Sequence, residues 1–234
     1  MRFNRFLTEQ AGGQAAGKME VDKISLEEAR KFAEKKGLDL DKEIPDFDEN
    51  FKKAQSIFRI GKTQRKDMPV IDDRDIDKFK ARLEKGNIDI NKPLAKDPLV
   101  KRNPFPTGLS GLAAEKWLQM GLKDGSITDD QIDVRITQVP ISKLKPIQKQ
   151  VYYDKSMGAI AQFGVKASNE FITEKSFFVI SDDNYIIDGH HRFLSGILTC
   201  GKCKVNALKI KLPIKKLLPM SLAYGDAIGN VRNL

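Results

Sequence analysis

The sequence predicts a small α/β (α+β) domain preceded by a helical region. Three observations lead there. Phe177-Phe178-Val179-Ile180 and Tyr185-Ile186-Ile187 are short apolar runs joined by the turn-forming Ser181-Asp182-Asp183-Asn184, and a helical pattern follows at once. Apolar residues recur at helical spacing through residues 25–85. Near the end, Leu208, Ile210 and Leu212 alternate with Lys209 and Lys211, the period of a half-buried strand with a basic outer face. Hydrophobic residues make up 40% of the 234, enough to build a core.

Taken in order, residues 1–17 read as a flexible tail, because Ala11-Gly12-Gly13-Gln14-Ala15-Ala16-Gly17 has nothing to bury. Ser25 with Glu28 forms a capping box. Leu26, Ala29, Phe32 and Ala33 line the helix it starts, and Gly37 ends that helix. Phe47, Phe51, Ala54 and Phe58 mark a second helix; Ile76, Phe79 and Leu83 mark a third, ended by Gly86. Between them, Arg59-Ile60-Gly61-Lys62-Thr63-Gln64-Arg65-Lys66 is a basic connector, read as a solvated loop, with contact to a phosphate backbone as the alternative. Its Gly61-Lys62-Thr63 lacks the upstream glycine and strand of a P-loop. Residues 87–107 form a proline-rich linker, and residues 110–121 a helix carrying Trp117. Asp129-Asp130 reads as an acidic turn rather than a metal site. Val134 and Ile136 open a strand. The organisation is therefore a tail at 1–17, a mainly helical accessory region with its linker at 18–104, and a domain at 105–234.

The segment richest in chemistry is Asp188-Gly189-His190-His191-Arg192. It contains both histidines of the chain and sits at a strand-to-helix turn. Phe193, Leu194, Ile197 and Leu198 form the apolar face of the following helix, and Gly201 stops it. Free N–H groups and the helix dipole at such a turn favour a phosphate. Gly189 lets the backbone approach a ligand. Arg192 can add a bidentate contact. His190 or His191, with ordinary pKa values near neutrality, are candidate general acids or bases. Asp188 is a candidate to orient a histidine or help hold a divalent ion. The plain alternative is a helix capped by Asp188, with the histidines exposed on its first turn.

This box, together with Val139-Pro140-Ile141-Ser142-Lys143-Leu144-Lys145-Pro146-Ile147-Gln148, resembles the ParB/sulfiredoxin fold, and within it the phage ParB-like nuclease branch that carries a DGHHR box. Val151 and Lys155 fit the same branch. The resemblance spans roughly residues 105–217. It implies a small mixed-sheet domain with a nucleotide- or phosphate-binding turn, in which Gln148 and Lys155 complete the pocket of Gly189 and Arg192. The cofactors it allows are a nucleoside triphosphate or diphosphate and Mg²⁺ or Mn²⁺. Sulfiredoxins carry a nucleophilic cysteine where this chain has His190, so their reductase chemistry is lost. The turn also has fewer arginines than partition proteins, and no helix-turn-helix follows it. The start, Phe3-Asn4-Arg5-Phe6-Leu7-Thr8-Glu9, resembles the capsid-targeting tags of large tailed phages, which are cut after a Leu-x-Glu type triplet.

Cys200-Gly201-Lys202-Cys203 is a CxxC at the far end of the histidine helix, about 15 Å from the histidines by helical rise, so the two cannot share one zinc ion. A pair of reduced cysteines in a reducing cytoplasm is expected. Forty-one Lys and Arg against 32 Asp and Glu give a net charge of +9, spread over both halves, which suits an acidic partner such as nucleic acid. No apolar run is long enough to span a bilayer, and no secretory signal is visible. The expected setting is the host cytoplasm, with packaging in a phage head if the tag operates.

Three functions follow. The first is phosphate chemistry at residues 188–192, as nucleotide hydrolysis or phosphoryl transfer. The second is a DNA or RNA nuclease using the same residues. The third is a packaged, non-enzymatic head or DNA-associated protein. The partners expected are a nucleotide, or nucleic acid, and no membrane.

Overall fold

The capping box at Ser25 starts the first helix of the computed structural model, which describes residues 17–71, 75–90, 116, 118 and 127–230. Ser25 Oγ accepts from the Glu28 N–H at 3.2 Å, and the Glu28 carboxylate accepts from the Ser25 N–H at 2.7 Å. Helix α1 is Leu26–Lys35, α2 is Leu40–Glu43, α3 is Phe47–Phe58 and α4 is Ile76–Glu84. The tail with its tag, and most of the proline-rich linker and the Trp117 helix, lie outside the described residues.

Strand β1 (Val134–Pro140) opens the sheet-forming part. Helices α5 (Tyr153–Phe163) and α6 (Val165–Glu170) follow, then a π turn at Phe171–Lys175. Next come β2 (Phe178–Ser181), β3 (Ile186–Asp188), α7 (His190–Thr199), β4 (Lys204–Ile210) and α8 (Ile214–Ala227). The four strands make one sheet in the order β1-β4-β2-β3. β4 runs antiparallel to β1, in register from Val134↔Ile210 to Pro140↔Lys204, and parallel to β2. A parallel pair needs a long crossover, and β3 with α7 supplies it. The fold is thus a small mixed α/β domain.

Both faces of the sheet are covered. Phe178, Ile180, Ile186, Val205 and Ala207 pack in one cluster with α1, α3, α5 and α7. Val134, Val179, Ile187, Leu208 and Ile210 pack in the other, with α4 and α8. This double burial makes β2 a continuous apolar run. It also refines the reading of the final strand. β4 is central and ends at Ile210. Leu208, Ile210 and Leu212 are buried while Lys211 is exposed, as the alternation predicts, but Lys209 is only part-exposed and reaches Asn184 Oδ1 at 3.2 Å and Asp182 at 3.6 Å.

The N-terminal helices share the core that carries the site. The Tyr153 ring meets Phe32, Phe47 and Phe51 edge-on, and its hydroxyl donates to the Ala29 carbonyl at 2.9 Å. Phe58 packs on Phe193 of α7 with centroids 5.7 Å apart. Asn50 of α3 donates to the Leu198 carbonyl at 3.1 Å. No helix among the described residues is long and apolar enough to cross a membrane.

Candidate phosphate site at the start of helix α7

The two sequence boxes meet through the histidines. Strand β3 ends at Asp188, Gly189 turns the chain at φ 111°, and α7 begins at His190. The first turn of α7 places His190 in the interior, where its Nε2 accepts from the Ile147 N–H at 3.2 Å and the Gln148 N–H at 3.3 Å. His191, half-buried, accepts from the Tyr152 N–H at 3.3 Å and stacks on the Tyr152 ring at 6.4 Å. An Nε2 that accepts N–H bonds carries no proton, so each neutral ring is protonated at Nδ1.

This geometry departs from the expectation of histidines near neutrality. Burial, reinforced by the Arg192 charge, lowers His190 to about 3. Burial lowers His191 to about 3 as well, followed by Arg65, Lys155, His190 and Arg192. The histidines are not solvent-facing acids. They fasten the end of the first box and the residues just after it, 147–152, to α7.

Arg192 and Asp188 also differ from their expected roles. Arg192 Nη2 is ion-paired to the Asp188 carboxylate one turn back, and donates to the Phe177 carbonyl at 3.1 Å. The guanidinium lies over the Phe178 ring at 5.8 Å, with its Nε buried and unpaired. One arm of the fork expected to hold a phosphate, Nη2, is therefore engaged by the chain's own groups. Asp188 makes no cap, since Gly189 is the N-cap and has no side chain to offer. Nor does it orient a histidine. A Cβ on Gly189 would lie 2.8 Å from Phe178 Cδ1, so the glycine is required by the packing of the turn itself.

Positive charge near the turn comes from elsewhere. Lys155, on the first turn of α5, is half-buried and makes no ion pair among the described residues. Burial, then the neighbouring Arg65, holds its pKa below the ordinary lysine value. Its Nζ lies 5.9 Å from the Tyr152 ring centroid, and the Arg65 guanidinium lies 5.5 Å from the same ring. Two cations thus converge on the Tyr152–His191 stack at the N-terminal end of α7. Gln148 is buried, and its side chain donates to the Gln150 carbonyl, so it supports the loop rather than lining open space.

Arg65 and Tyr152 were not singled out by sequence reasoning. The signal for Arg65 was the basic connector, whose side chains are mostly exposed as expected, while its backbone is tied to the first box. Lys62 N–H and Thr63 N–H donate to the Ile147 carbonyl at 3.0 and 2.9 Å, and Lys149 N–H donates to the Thr63 carbonyl at 2.8 Å. Thr63 and Gln148 form a parallel bridge. Arg65 N–H donates to Gln150 Oε1 at 3.3 Å.

Cys200 and Cys203 are disulfide-bonded rather than reduced. Gly201, at φ 52°, turns the chain between α7 and β4 and brings their Cα atoms to 5.7 Å, within disulfide range. Among the described residues no group of three His, Cys, Asp or Glu side chains is placed to hold a metal ion. Asp130 is buried and accepts from the Ile90 N–H at 2.9 Å, as an acidic turn would.

Comparison with protein-family models, with curated proteins and with solved structures finds no match for this chain.

Proposed function

We propose that this chain binds the phosphate of a nucleotide, or of nucleic acid, at the N-terminal end of α7. One observation carries the reading: Lys155 and Arg65 converge on the Tyr152–His191 stack beside the first turn of that helix. Lys155 is partly desolvated and has no carboxylate partner among the described residues. An anion would relieve both conditions. The resemblance to the ParB/sulfiredoxin fold, in its phage branch, points to the same turn.

Binding is better supported than turnover by these histidines. Rings that are neutral at pH 7 and already accept backbone N–H bonds are poor general acids or bases. Nucleotide hydrolysis, phosphoryl transfer and nuclease action remain proposals to be assayed with Mg²⁺ or Mn²⁺ present. The packaged-protein alternative depends on residues 1–16, outside the described residues.

A thermal-shift panel of nucleoside di- and triphosphates, with and without divalent ions, tests the proposal. A ligand at a hundred times its dissociation constant stabilises the native state by about 2.7 kcal/mol. Lys155→Ala is expected to abolish the shift while leaving the ligand-free transition near that of the parent. Arg192→Ala is expected instead to lower the ligand-free transition, because it strips the partner from Asp188 and the cover from Phe178. A nucleotide that stabilises Lys155→Ala as well as the parent would remove this site from consideration.

A further inference from the structure

Residues 146–147 also line an open groove of about 400 Å³, a volume within the range of small-ligand sites. Ile60, Pro146, Tyr185, Leu218 and Pro219 form its apolar walls. Ile60 is 65% exposed, a large apolar side chain on the strapped connector with nothing over it. Lys62 and Lys215 line the same groove, and Lys145 lies over the Tyr185 ring at 5.1 Å. Among the described residues no carboxylate lines it. Four elements that are separate in sequence therefore build one apolar slot edged by cations: the connector, the end of the first box, the turn before β3 and α8.

We infer that this groove binds single-stranded nucleic acid, taking an unpaired base against Tyr185 and the proline walls, with the flanking phosphates on Lys62 and Lys215. Flat apolar walls with an aromatic ring suit a nucleobase, whose faces a duplex would hide. The cationic edge suits the phosphates on either side of that base. The net charge of +9 adds long-range attraction. The inference goes beyond the site at α7, because it stands on different residues and needs neither Lys155 nor Arg65.

Fluorescence anisotropy of a labelled oligothymidylate of about 15 nucleotides, titrated with the full chain, tests it. A duplex of the same length and a polyglutamate peptide serve as competitors. The single strand is expected to bind more tightly than either. The double substitution Lys62→Gln with Lys215→Gln should weaken it about tenfold, and should flatten the plot of log affinity against log salt by about 1.4, the value for two lost contacts to a single strand. Tyr185→Leu should weaken binding about tenfold and Tyr185→Phe should not. Ile60→Glu, at an exposed position that folding does not depend on, should match the lysine substitutions. Equal binding by the parent and Ile60→Glu overturns the inference, as does preference for duplex. Preferential capture of polyglutamate would make the groove a site for an acidic protein instead, and also overturns it. Loss of oligonucleotide binding in Lys155→Ala alone would assign binding to the α7 site and not to the groove. Loss in the groove variants alone, with no nucleotide shift in any protein, would keep the groove and discard the α7 site.

Discussion

His190→Ala is expected to destabilise the chain by about 3 kcal/mol at pH 7.5, and this deficit should shrink as the solution is acidified. The first part follows from what the imidazole does. Its Nε2 satisfies two N–H groups, of Ile147 and Gln148, in an interior site. Alanine leaves both unpaired, at about 1–3 kcal/mol for each buried group, and leaves a cavity besides. The second part follows from linkage. The folded-state value near 3 lies below the ordinary 6.5, so the unfolded chain binds the proton first. Stability from the neutral ring is complete above pH 6.5 and is lost as the pH falls from there toward 3. The slope is about 1.4 kcal/mol per pH unit, which gives about 2 kcal/mol at pH 5. Below pH 6.5 the parent loses this amount and His190→Ala does not, so the gap between them should narrow by about 2 kcal/mol between pH 7.5 and 5. His191, less deeply buried, acts in the same direction. Urea denaturation of both proteins at several pH values measures the gap. A gap that stays constant would mean that His190 is not held neutral, and would restore it as a candidate acid or base.

What the sequence disclosed depended on whether the signal was local. The capping box at Ser25, the phenylalanine stripe of α3 and the hairpin that feeds α7 are all written within one or two turns of chain, and each lies where expected. Helix α8 was not read, although Leu217, Met220, Ala223, Tyr224 and Ala227 are buried at helical spacing. Pro219 and Gly225 lie inside that stripe and normally argue against a helix. Packing of the stripe on Phe79 and its neighbours overrides them. Helix α5 was missed too, although Tyr153, Met157 and Ile160 carry a similar spacing.

At the proposed site, the sequence points to which residues come together but not to the partners each one takes. The first box and the DGHHR box do come together, and Lys155 lies beside His191. Yet the roles of His190, His191 and Arg192 are set by partners distant in sequence or hidden by the turn: backbone N–H groups of residues 147, 148 and 152, the Asp188 carboxylate and the Phe177 carbonyl. No periodicity encodes those contacts. The same holds for Arg65, which reaches Tyr152 only because the connector is strapped to the first box.

Gly189→Ala is expected to cost about 3 kcal/mol and to release the start of α7 from its present direction. Two effects add. At φ 111° an L side chain is strained wherever it points, by roughly 1–2 kcal/mol. The new Cβ would also stand 2.8 Å from Cδ1 of Phe178, a fully buried ring that cannot retreat without disturbing the sheet, and such overpacking costs about 1–3 kcal/mol. The two contributions can be separated, because only the second depends on the ring. Phe178→Leu in the Gly189→Ala background should recover part of the loss, so the double variant should be more stable than the sum of the single effects by about 1 kcal/mol. Chemical denaturation of the four proteins closes the cycle. If Gly189→Ala folds as stably as the parent, the turn does not have this conformation, and the placement of the histidines on residues 147–152 falls with it. If the cycle shows no coupling, the cost lies in the backbone alone, and the ring is a bystander to the turn that presents α7.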